Sequence, residues 1–315
     1  MAVKICVLKT DGTNCDQETK FAFNLAGGEA EIVLLNTLIK GYDPVSDKKI
    51  SLDDYHILAI AGGFSHGDYI SAGKILANDM KYFLSEQLED FVKKEKPIIG
   101  ICNGFQVLVK YGLLPKLDNK IQQTTTLTNN DCGRFEDRWI RLIKPQNKNS
   151  SASDYNHKCI WTKNISQIDL PIAHGEGKFI SDSPTIKGIF DQRMVVFQYA
   201  DRDNNPTMQF PDNPNGSLEA IAGICDPSGL IFGLMPHPER YLFPRNHHLS
   251  TLQEVLGREY VQKSISLDHP SPHQYLKSLE PLPKEGRGLQ IFRNGIDYVQ
   301  NHKKSLINGD NNDTR

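Results

Sequence analysis

Short apolar runs alternate with longer amphipathic stretches in the first third of the chain. The runs are residues 3–8, 31–35, 56–61 and 97–101. The stretches between them include a helix capped by Asn14 or Asp16 and a longer helical pattern over 73–94. Short apolar strands that alternate with helices imply a parallel sheet covered on both faces. We therefore predict an α/β fold, a three-layer sandwich around a mostly parallel sheet.

The pattern changes after residue 124, where segments become shorter, more polar and β-biased, as in 138–143 and 195–199. Residues 218–224 and 230–234 predict a hairpin around the Asp-Pro-Ser-Gly sequence at 226–229. We therefore expect an antiparallel β extension of the sheet.

The last part of the chain has less regular patterning. Residues 146–155 are rich in Asn, Ser and Asp and predict a surface loop, and the apolar spacing over 289–299 predicts a closing helix. We find no internal repeat and no domain linker. The prediction is one domain over 1–304 with an insertion at about 242–286, followed by a disordered tail over 305–315.

Composition narrows the classes of function. The 315 residues are 38% hydrophobic and 23% charged, with a formal net charge of -2 and a mean hydropathy of -0.45. This balance of charge argues against non-specific electrostatic binding to nucleic acid or to an acidic membrane. No apolar run approaches a membrane span, and the N-terminus enters a strand without a signal peptide. Six cysteines without a CxxC pair favour reduced thiols, so we expect a cytoplasmic protein.

A Gly-x-Cys-x-Gly turn stands at residues 100–104, directly behind the apolar run that ends the fourth predicted strand. Such a strand–turn–helix arrangement exposes its central side chain at a helix N-terminus, where the helix dipole favours a thiolate. The turn therefore predicts a nucleophilic cysteine, Cys102.

A cysteine nucleophile needs a base and a group that orients the base. His237 and Glu239 follow the apolar run 230–234 and are two residues apart, so they point the same way in an extended segment. Gly62 and Gly63 follow another predicted strand, and their backbone N–H groups, with that of Asn103, could bind an oxyanion. In an open parallel sheet all of these would meet at the carboxyl ends of the strands.

Each signal has a structural alternative when it is taken alone. Cys102 could be a small buried hydrophobe, His237 a structural histidine, and the two glycines a tight turn. Their joint occurrence after three strands favours a catalytic site.

These residues resemble the class I, triad-type glutamine amidotransferases. More narrowly, the chain is similar to the glutaminase part of phosphoribosylformylglycinamidine synthase. The matching segments are 12–16 (GTNCD), 62–68 (GGFSHGD), 100–106 (GICNGFQ), 133–136 (GRFE) with Arg138 and Trp139, 173–177 (AHGEG), 213–217 (NPNGS) and 236–240 (PHPER).

The resemblance implies a flavodoxin-like amidotransferase fold and a mechanism on glutamine. Cys102 would attack the side-chain amide of L-glutamine, with His237 relaying protons and Glu239 orienting it. Gly62, Gly63 and Asn103 would serve the oxyanion, and Gln106 would line the glutamine pocket. A γ-glutamyl thioester would form and water would release glutamate.

The resemblance also implies partners. Ammonia would pass to a synthetase subunit of the PurL type, which uses ATP and magnesium to convert formylglycinamide ribonucleotide to the amidine in purine biosynthesis. A small accessory subunit of the PurS type is expected as well. The chain has no P-loop sequence, so we expect no cofactor and no metal of its own.

Two other functions remain open from the sequence. One is a stand-alone γ-glutamyl hydrolase or peptidase on the same scaffold, and the other is a scaffold without catalysis. The branch motifs weigh against the first and the intact triad against the second.

Several polar residues carry weaker signals. Two roles are equally open for a set of residues in the middle of the chain. They could form a partner interface or an ammonia path, or they could belong to a solvated β-hairpin with structural pairs. The residues are Arg134, Phe135, Glu136, Arg138 and His174. A metal site among His247, His248, His269 and His273 is disfavoured, because Pro270 and Pro272 separate the latter pair.

Overall fold

The computed structural model describes residues 2–145, 158–251 and 284–309. The loop predicted at 146–155 and most of the predicted insertion at 242–286, with His269 and His273, lie outside the described residues. The division into one domain with an insertion therefore stays a prediction.

The strands form one large sheet and two short pairs. In chain order they are β1 (Lys4–Lys9), β2 (Glu29–Leu34), β3 (Tyr42–Asp43), β4 (Lys48–Lys49), β5 (Ile57–Ile60), β6 (Ile98–Ile101), β7 (Thr125–Thr128), β8 (Glu136–Ile143), β9 (Gln167–His174), β10 (Lys178–Ser181), β11 (Val195–Ala200), β12 (Ile221–Cys225) and β13 (Ile231–Leu234). The large sheet has nine strands in the order β2-β1-β5-β6-β13-β12-β11-β8-β9, while β3 pairs with β4 and β7 with β10.

The large sheet has a parallel half and an antiparallel half. Strands β2, β1, β5, β6 and β13 run parallel, and β12, β11, β8 and β9 extend them by antiparallel pairing. The predicted α/β fold with its antiparallel extension and its hairpin of β12 and β13 is confirmed.

Helices cover both faces of the parallel half. They are α1 (Asp16–Leu25), α2 (Leu35–Lys40), α3 (Lys74–Phe83), α4 (Ser85–Lys93), α5 (Asn103–Tyr111), α6 (Ser183–Asp191) and α7 (Leu289–Gly309). On one face α1 packs on α7, with the rings of Phe23 and Phe292 edge to face at 4.9 Å, and on the other α3 packs on α5. The strands between them are buried on both sides, as an apolar run predicts.

Two helix boundaries differ from the sequence pattern. The helical stretch predicted over 73–94 is two helices, because Leu84 leaves helical geometry (φ -122°, ψ 8°) to become buried between them. The closing helix continues to Gly309 and overlaps the first part of the tail predicted from Ser305. No helix among the described residues is long and apolar enough to cross a membrane.

The parallel pairing of β5, β6 and β13 decides where chemistry can occur. Their registers align Ile60 with Gly100 and Ile101 with Leu234, so the three strands end together. The segments that follow them begin at Ala61, Cys102 and Met235. The three candidate segments of the sequence therefore meet at one edge of the sheet.

We expect Gly104→Ala to destabilise the fold by about 3 kcal/mol or more, because an added Cβ would lie 1.9 Å from the carbonyl oxygen of Ile60. Urea unfolding monitored by circular dichroism measures the loss. Gly188→Ala is the matched control: it lies inside α6, where the added methyl meets only ordinary contacts, and alanine favours the helix by up to ~1 kcal/mol. Equal stability of the two variants would contradict the close packing of α5 on β5.

Candidate active site

Cys102 occupies the turn between β6 and α5 in a strained backbone conformation. Its dihedral angles are φ 52° and ψ -106°, and a positive φ is costly for a residue other than glycine. The turn is held from β13, because the Cys102 N–H donates to the Leu234 carbonyl at 2.8 Å. The side chain is 5% exposed and its thiol faces the Ala173 carbonyl at 3.7 Å. The structure thus has the strand–turn–helix geometry that the Gly-x-Cys-x-Gly turn predicts, but the side chain is buried and not exposed as expected, because the end of β9 lies over the thiol.

His237 and Glu239 form a buried pair beside this turn. Nδ1 of His237 lies 2.6 Å from Oε1 of Glu239, and the His237 backbone N–H donates to the Pro171 carbonyl on β9 at 2.8 Å. A Cβ added at Gly62 would lie 3.0 Å from Cε1 of His237 and 3.4 Å from Cβ of Cys102. The imidazole and the cysteine therefore meet over Gly62.

The charge on His237 depends on this pair. Burial disfavours the imidazolium, but the charges of Glu239 and Cys102 outweigh burial and raise the pKa of His237 well above its ordinary value. Nε2 of His237 is buried and makes no well-formed hydrogen bond within the described residues. The second nitrogen is therefore available toward the thiol while Glu239 holds the first.

The loop at Gly62 and Gly63 is braced by residues 12–15. Phe64 N–H donates to the Gly12 carbonyl at 2.9 Å, and Cys15 N–H donates to the Gly62 carbonyl at 3.2 Å. Neither bond uses the N–H of Gly63. The N–H of Asn103 belongs to the first turn of α5, where helix donors have no partner inside the helix. Two backbone donors can thus serve an oxyanion near Cys102.

A cavity of about 440 Å³ opens in front of the thiol. Gly63, Cys102 and Gln106 line it together with residues of the 129–135 and 173–176 segments. Both polar atoms of the Gln106 amide have partners. Its Nε2 donates to the Glu176 carbonyl at 2.6 Å, and its Oε1 accepts from Nδ2 of Asn103 at 2.9 Å. This volume suits a small polar molecule.

Sequence reasoning assigned no role to three charged groups beside the cavity. Asp68 and Glu176 line it, and the Lys110 ammonium lies 3.9 Å from Oε2 of Glu176. Burial and the charge of Glu176 raise the pKa of Asp68 to about 6, while burial lowers the pKa of Lys110. Asp68 and Glu176 stand inside the matching motifs, which was the available signal. In the sequence, by contrast, nothing distinguishes Lys110 from an ordinary surface lysine on a helix.

Cys15 is a second thiol that the sequence pattern did not single out as part of the site. It is buried, its Sγ accepts from Nη2 of Arg240 at 3.3 Å, and burial raises its pKa. Ligand atoms of Cys15, His237 and Glu239 lie within 4.8 Å of one another. This set shares two residues with the predicted triad, so it belongs to the same site.

The remaining polar candidates fall into separate places. Arg134, Phe135 and His174 line the cavity. Glu136 and Arg138 are paired on β8, and the Arg138 guanidinium lies 4.7 Å from the centre of the Phe210 ring.

The two described histidines of the disfavoured metal set have other contacts. Nε2 of His247 lies 3.7 Å from Asp169, and His247 and His248 pack on the ring of Trp139.

Comparison with known proteins gives the class of this chain. Residues 2–299 match the family described as a CobB/CobQ-like glutamine amidotransferase domain. The α/β sandwich and the cysteine elbow at its sheet edge agree with that class.

Individual relatives narrow the class. The PurQ subunit of phosphoribosylformylglycinamidine synthase from Dehalococcoides mccartyi is 40% identical over 95% of this chain and 98% of its own length. The PurQ subunit from Treponema denticola is 42% identical over 76% of this chain and 88% of its own length. A chain in the structure of PurLQS from Thermotoga maritima has a TM-score of 0.59 at 27% identity, covering 95% of this chain and all of that one.

The chain therefore belongs to the glutamine amidotransferase family and, within it, to the family of PurQ subunits of phosphoribosylformylglycinamidine synthase. The resemblance predicted from the motifs is confirmed.

We expect Asp68→Asn to raise the unfolding free energy at about pH 7.5. The pKa of Asp68 is raised to about 6 from an ordinary value of 3.8, so the folded state binds the proton more tightly than the unfolded state. The resulting cost to stability grows as pH rises from about 4 to 6 and is complete above that. Urea unfolding at several pH values measures it.

The gain from Asp68→Asn should be small at about pH 4 and should vanish below about pH 3, where the carboxyl is protonated in both states. Asp137→Asn on the exposed side of β8 is the matched control and should change little at either pH. A pH-independent effect at position 68 would contradict the raised pKa.

Proposed function

We propose that Cys102, His237 and Glu239 hydrolyse the side-chain amide of L-glutamine, and that the chain is the glutaminase subunit of phosphoribosylformylglycinamidine synthase. The observation that carries this proposal is the position of Cys102 beside the buried His237–Glu239 pair, with the Cβ of Cys102 and the Cε1 of His237 both close to Gly62. The membership of the PurQ family supplies the substrate class. Glutamine amide chemistry needs the same parts that this site holds: a nucleophile, a proton carrier and donors for an oxyanion.

The first half of the reaction forms a thioester. The Cys102 thiol gives its proton to Nε2 of His237 and its sulfur attacks the amide carbon, while the developing oxyanion accepts hydrogen bonds from the N–H groups of Gly63 and Asn103. His237 then gives its Nε2 proton to the amide nitrogen, the C–N bond breaks and ammonia leaves. Glu239 keeps the proton on Nδ1 and offsets the charge of the imidazolium throughout.

The second half returns the enzyme to its starting state. Water loses a proton to Nε2 of His237 and attacks the γ-glutamyl carbon, and the C–S bond breaks. Glutamate leaves and Cys102 recovers its proton. Gln106 and Glu176 form the wall of the cavity that holds the substrate, where their hydrogen bond fixes the position of both.

We propose that a partner subunit uses the ammonia that this site releases. The relative of known structure belongs to a PurLQS assembly, and we propose that this chain likewise assembles with a PurL-type synthetase and a PurS-type accessory subunit. The synthetase would use ATP and magnesium to convert formylglycinamide ribonucleotide to formylglycinamidine ribonucleotide. This chain would need no cofactor of its own.

A stand-alone γ-glutamyl hydrolase is not favoured, because the relatives at 40% and 42% identity carry the PurQ name. Glutamine hydrolysis by the purified chain, with and without the partner subunits, separates the two functions. We expect the partners to stimulate it. Full activity of the isolated chain would favour the hydrolase.

We expect Cys102→Ala to lower glutamine-dependent synthesis by the reconstituted complex at least about a thousandfold, because it removes the nucleophile that forms the thioester. Synthesis driven by added ammonium chloride should survive, since it bypasses this site. Cys132→Ala removes an exposed thiol and should leave both activities near the wild-type values. Equal loss of the glutamine and ammonia activities, or no loss, would remove Cys102 from the reaction.

A further inference from the structure

His174 is a second imidazole in the wall of the cavity, and the reaction above does not use it. It ends β9, is buried, and follows Ala173, whose carbonyl faces the Cys102 thiol at 3.7 Å. A histidine in this place could be a second acid–base group or a positioning residue. The hydrogen bonds around its ring decide between them.

Asn130 fixes the state of Nδ1. Its Oδ1 accepts from the Gly177 backbone N–H at 3.0 Å, and its Nδ2 donates to the carbonyls of Arg134 and His174. Because backbone N–H groups only donate and carbonyls only accept, the amide of Asn130 has one orientation. Its Oδ1 lies 3.1 Å from Nδ1 of His174, so Nδ1 carries a proton.

Asn215 fixes the state of Nε2 in the same way. Its Oδ1 accepts from the Ser217 backbone N–H at 3.0 Å, which turns its Nδ2 toward Nε2 of His174 at 3.4 Å and toward the Tyr199 hydroxyl at 3.0 Å. Nε2 is therefore an acceptor without a proton. The imidazole is a neutral Nδ1–H tautomer held by two buried amides.

Charge and space around the ring agree with this tautomer. Burial and the positive charge of His237 lower the pKa of His174 to about 3. Glu136, the register partner of His174 on β8, is paired with Arg138. A Cβ on Gly177 would lie 2.3 Å from Cε1 of His174, so the ring rests directly on the backbone. Burial and the charge of His237 outweigh a backbone hydrogen bond that favours the imidazolium, so a second cation next to His237 is disfavoured.

We propose that His174 is a neutral positioning residue that ties residues 173–177 to Asn130 and Asn215 and so fixes the cavity wall opposite Cys102. This wall supplies the Ala173 carbonyl that faces the thiol and the Glu176 carbonyl that accepts from Gln106. The inference rests on the proposed function, because it assigns a task within the glutaminase site. It also gives the AHGEG and NPNGS motifs one shared physical role.

The test compares His174→Gln with His174→Leu in the reconstituted complex. A glutamine amide can donate to Asn130 and accept from Asn215, whereas leucine removes one hydrogen bond from each of these buried amides. We expect kcat/KM for glutamine within about tenfold of wild type for H174Q, and a further loss of about 10- to 100-fold for H174L.

The pH profile and the stability of the variants separate the roles. A positioning role predicts that the plot of kcat/KM against pH keeps both limbs in H174Q, because His174 stays neutral over the pH range of that plot. Loss of a limb, with H174Q as inactive as H174L, would show acid–base catalysis and overturn the proposal. Wild-type kinetics in both variants, with only a lowered melting temperature, would also overturn it.

The tautomer can be measured without any turnover. Long-range ¹⁵N–¹H spectra of the imidazoles, with H174Q identifying the signal, should show a neutral Nδ1–H ring from about pH 5.5 to 8.5. An imidazolium or an Nε2–H tautomer in this range would contradict the proposal. Because this spectrum does not depend on glutamine hydrolysis, a failure of the proposed function and a failure of this inference give different results.

Discussion

The close approach of α5 to the end of β5 is the constraint on which the site depends. An added Cβ at Gly104 would lie 1.9 Å from the Ile60 carbonyl oxygen, so only glycine lets the helix begin this near the neighbouring strand. That closeness brings the first N–H groups of α5 beside the Gly62–Gly63 loop that follows β5. It also forces Cys102 to turn at a positive φ between strand and helix. The proposed nucleophile and oxyanion donors are thus placed by one backbone contact, and the strain at Cys102 is maintained by the packing around it.

Electrostatics distinguishes the two imidazoles of the site. His237 is paired with the carboxylate of Glu239, whereas His174 is held by two neutral amides. His237 is buried and can hold a proton because Glu239 is 2.6 Å away and equally buried. A second cation beside it would compete for that carboxylate, and the amides around His174 keep that ring neutral instead. The carboxylates of Asp68 and Glu176 line the cavity, and the Lys110 ammonium lies 3.9 Å from Oε2 of Glu176.

The sequence was enough for the parts of the site that follow buried strands. Cys102, His237, Gly62 and Gly63 each come directly after an apolar run, and parallel strands end at one edge of a sheet. The break at Leu84 was not predictable, because helical spacing continues through it and only tertiary burial explains it. The network of Asn130, His174 and Asn215 was also beyond the sequence. Its members are far apart along the chain, and an isolated asparagine has no pattern that names its partner.

The GTNCD, AHGEG and NPNGS motifs therefore support the proposed catalytic groups and supply none of the proposed triad themselves. The GTNCD segment holds the loop at Gly62 and Gly63 through two backbone hydrogen bonds. The AHGEG and NPNGS segments meet where the ring of His174 contacts Asn215. The thiol, imidazole and carboxylate alone would define a broad class of hydrolases. Their positions are fixed by segments as far away along the chain as Gly12 is from His237, where glycine and asparagine permit close backbone contacts. Specificity within the class is thus a property of the supports, which explains why the motifs around the triad identify the branch better than the triad does.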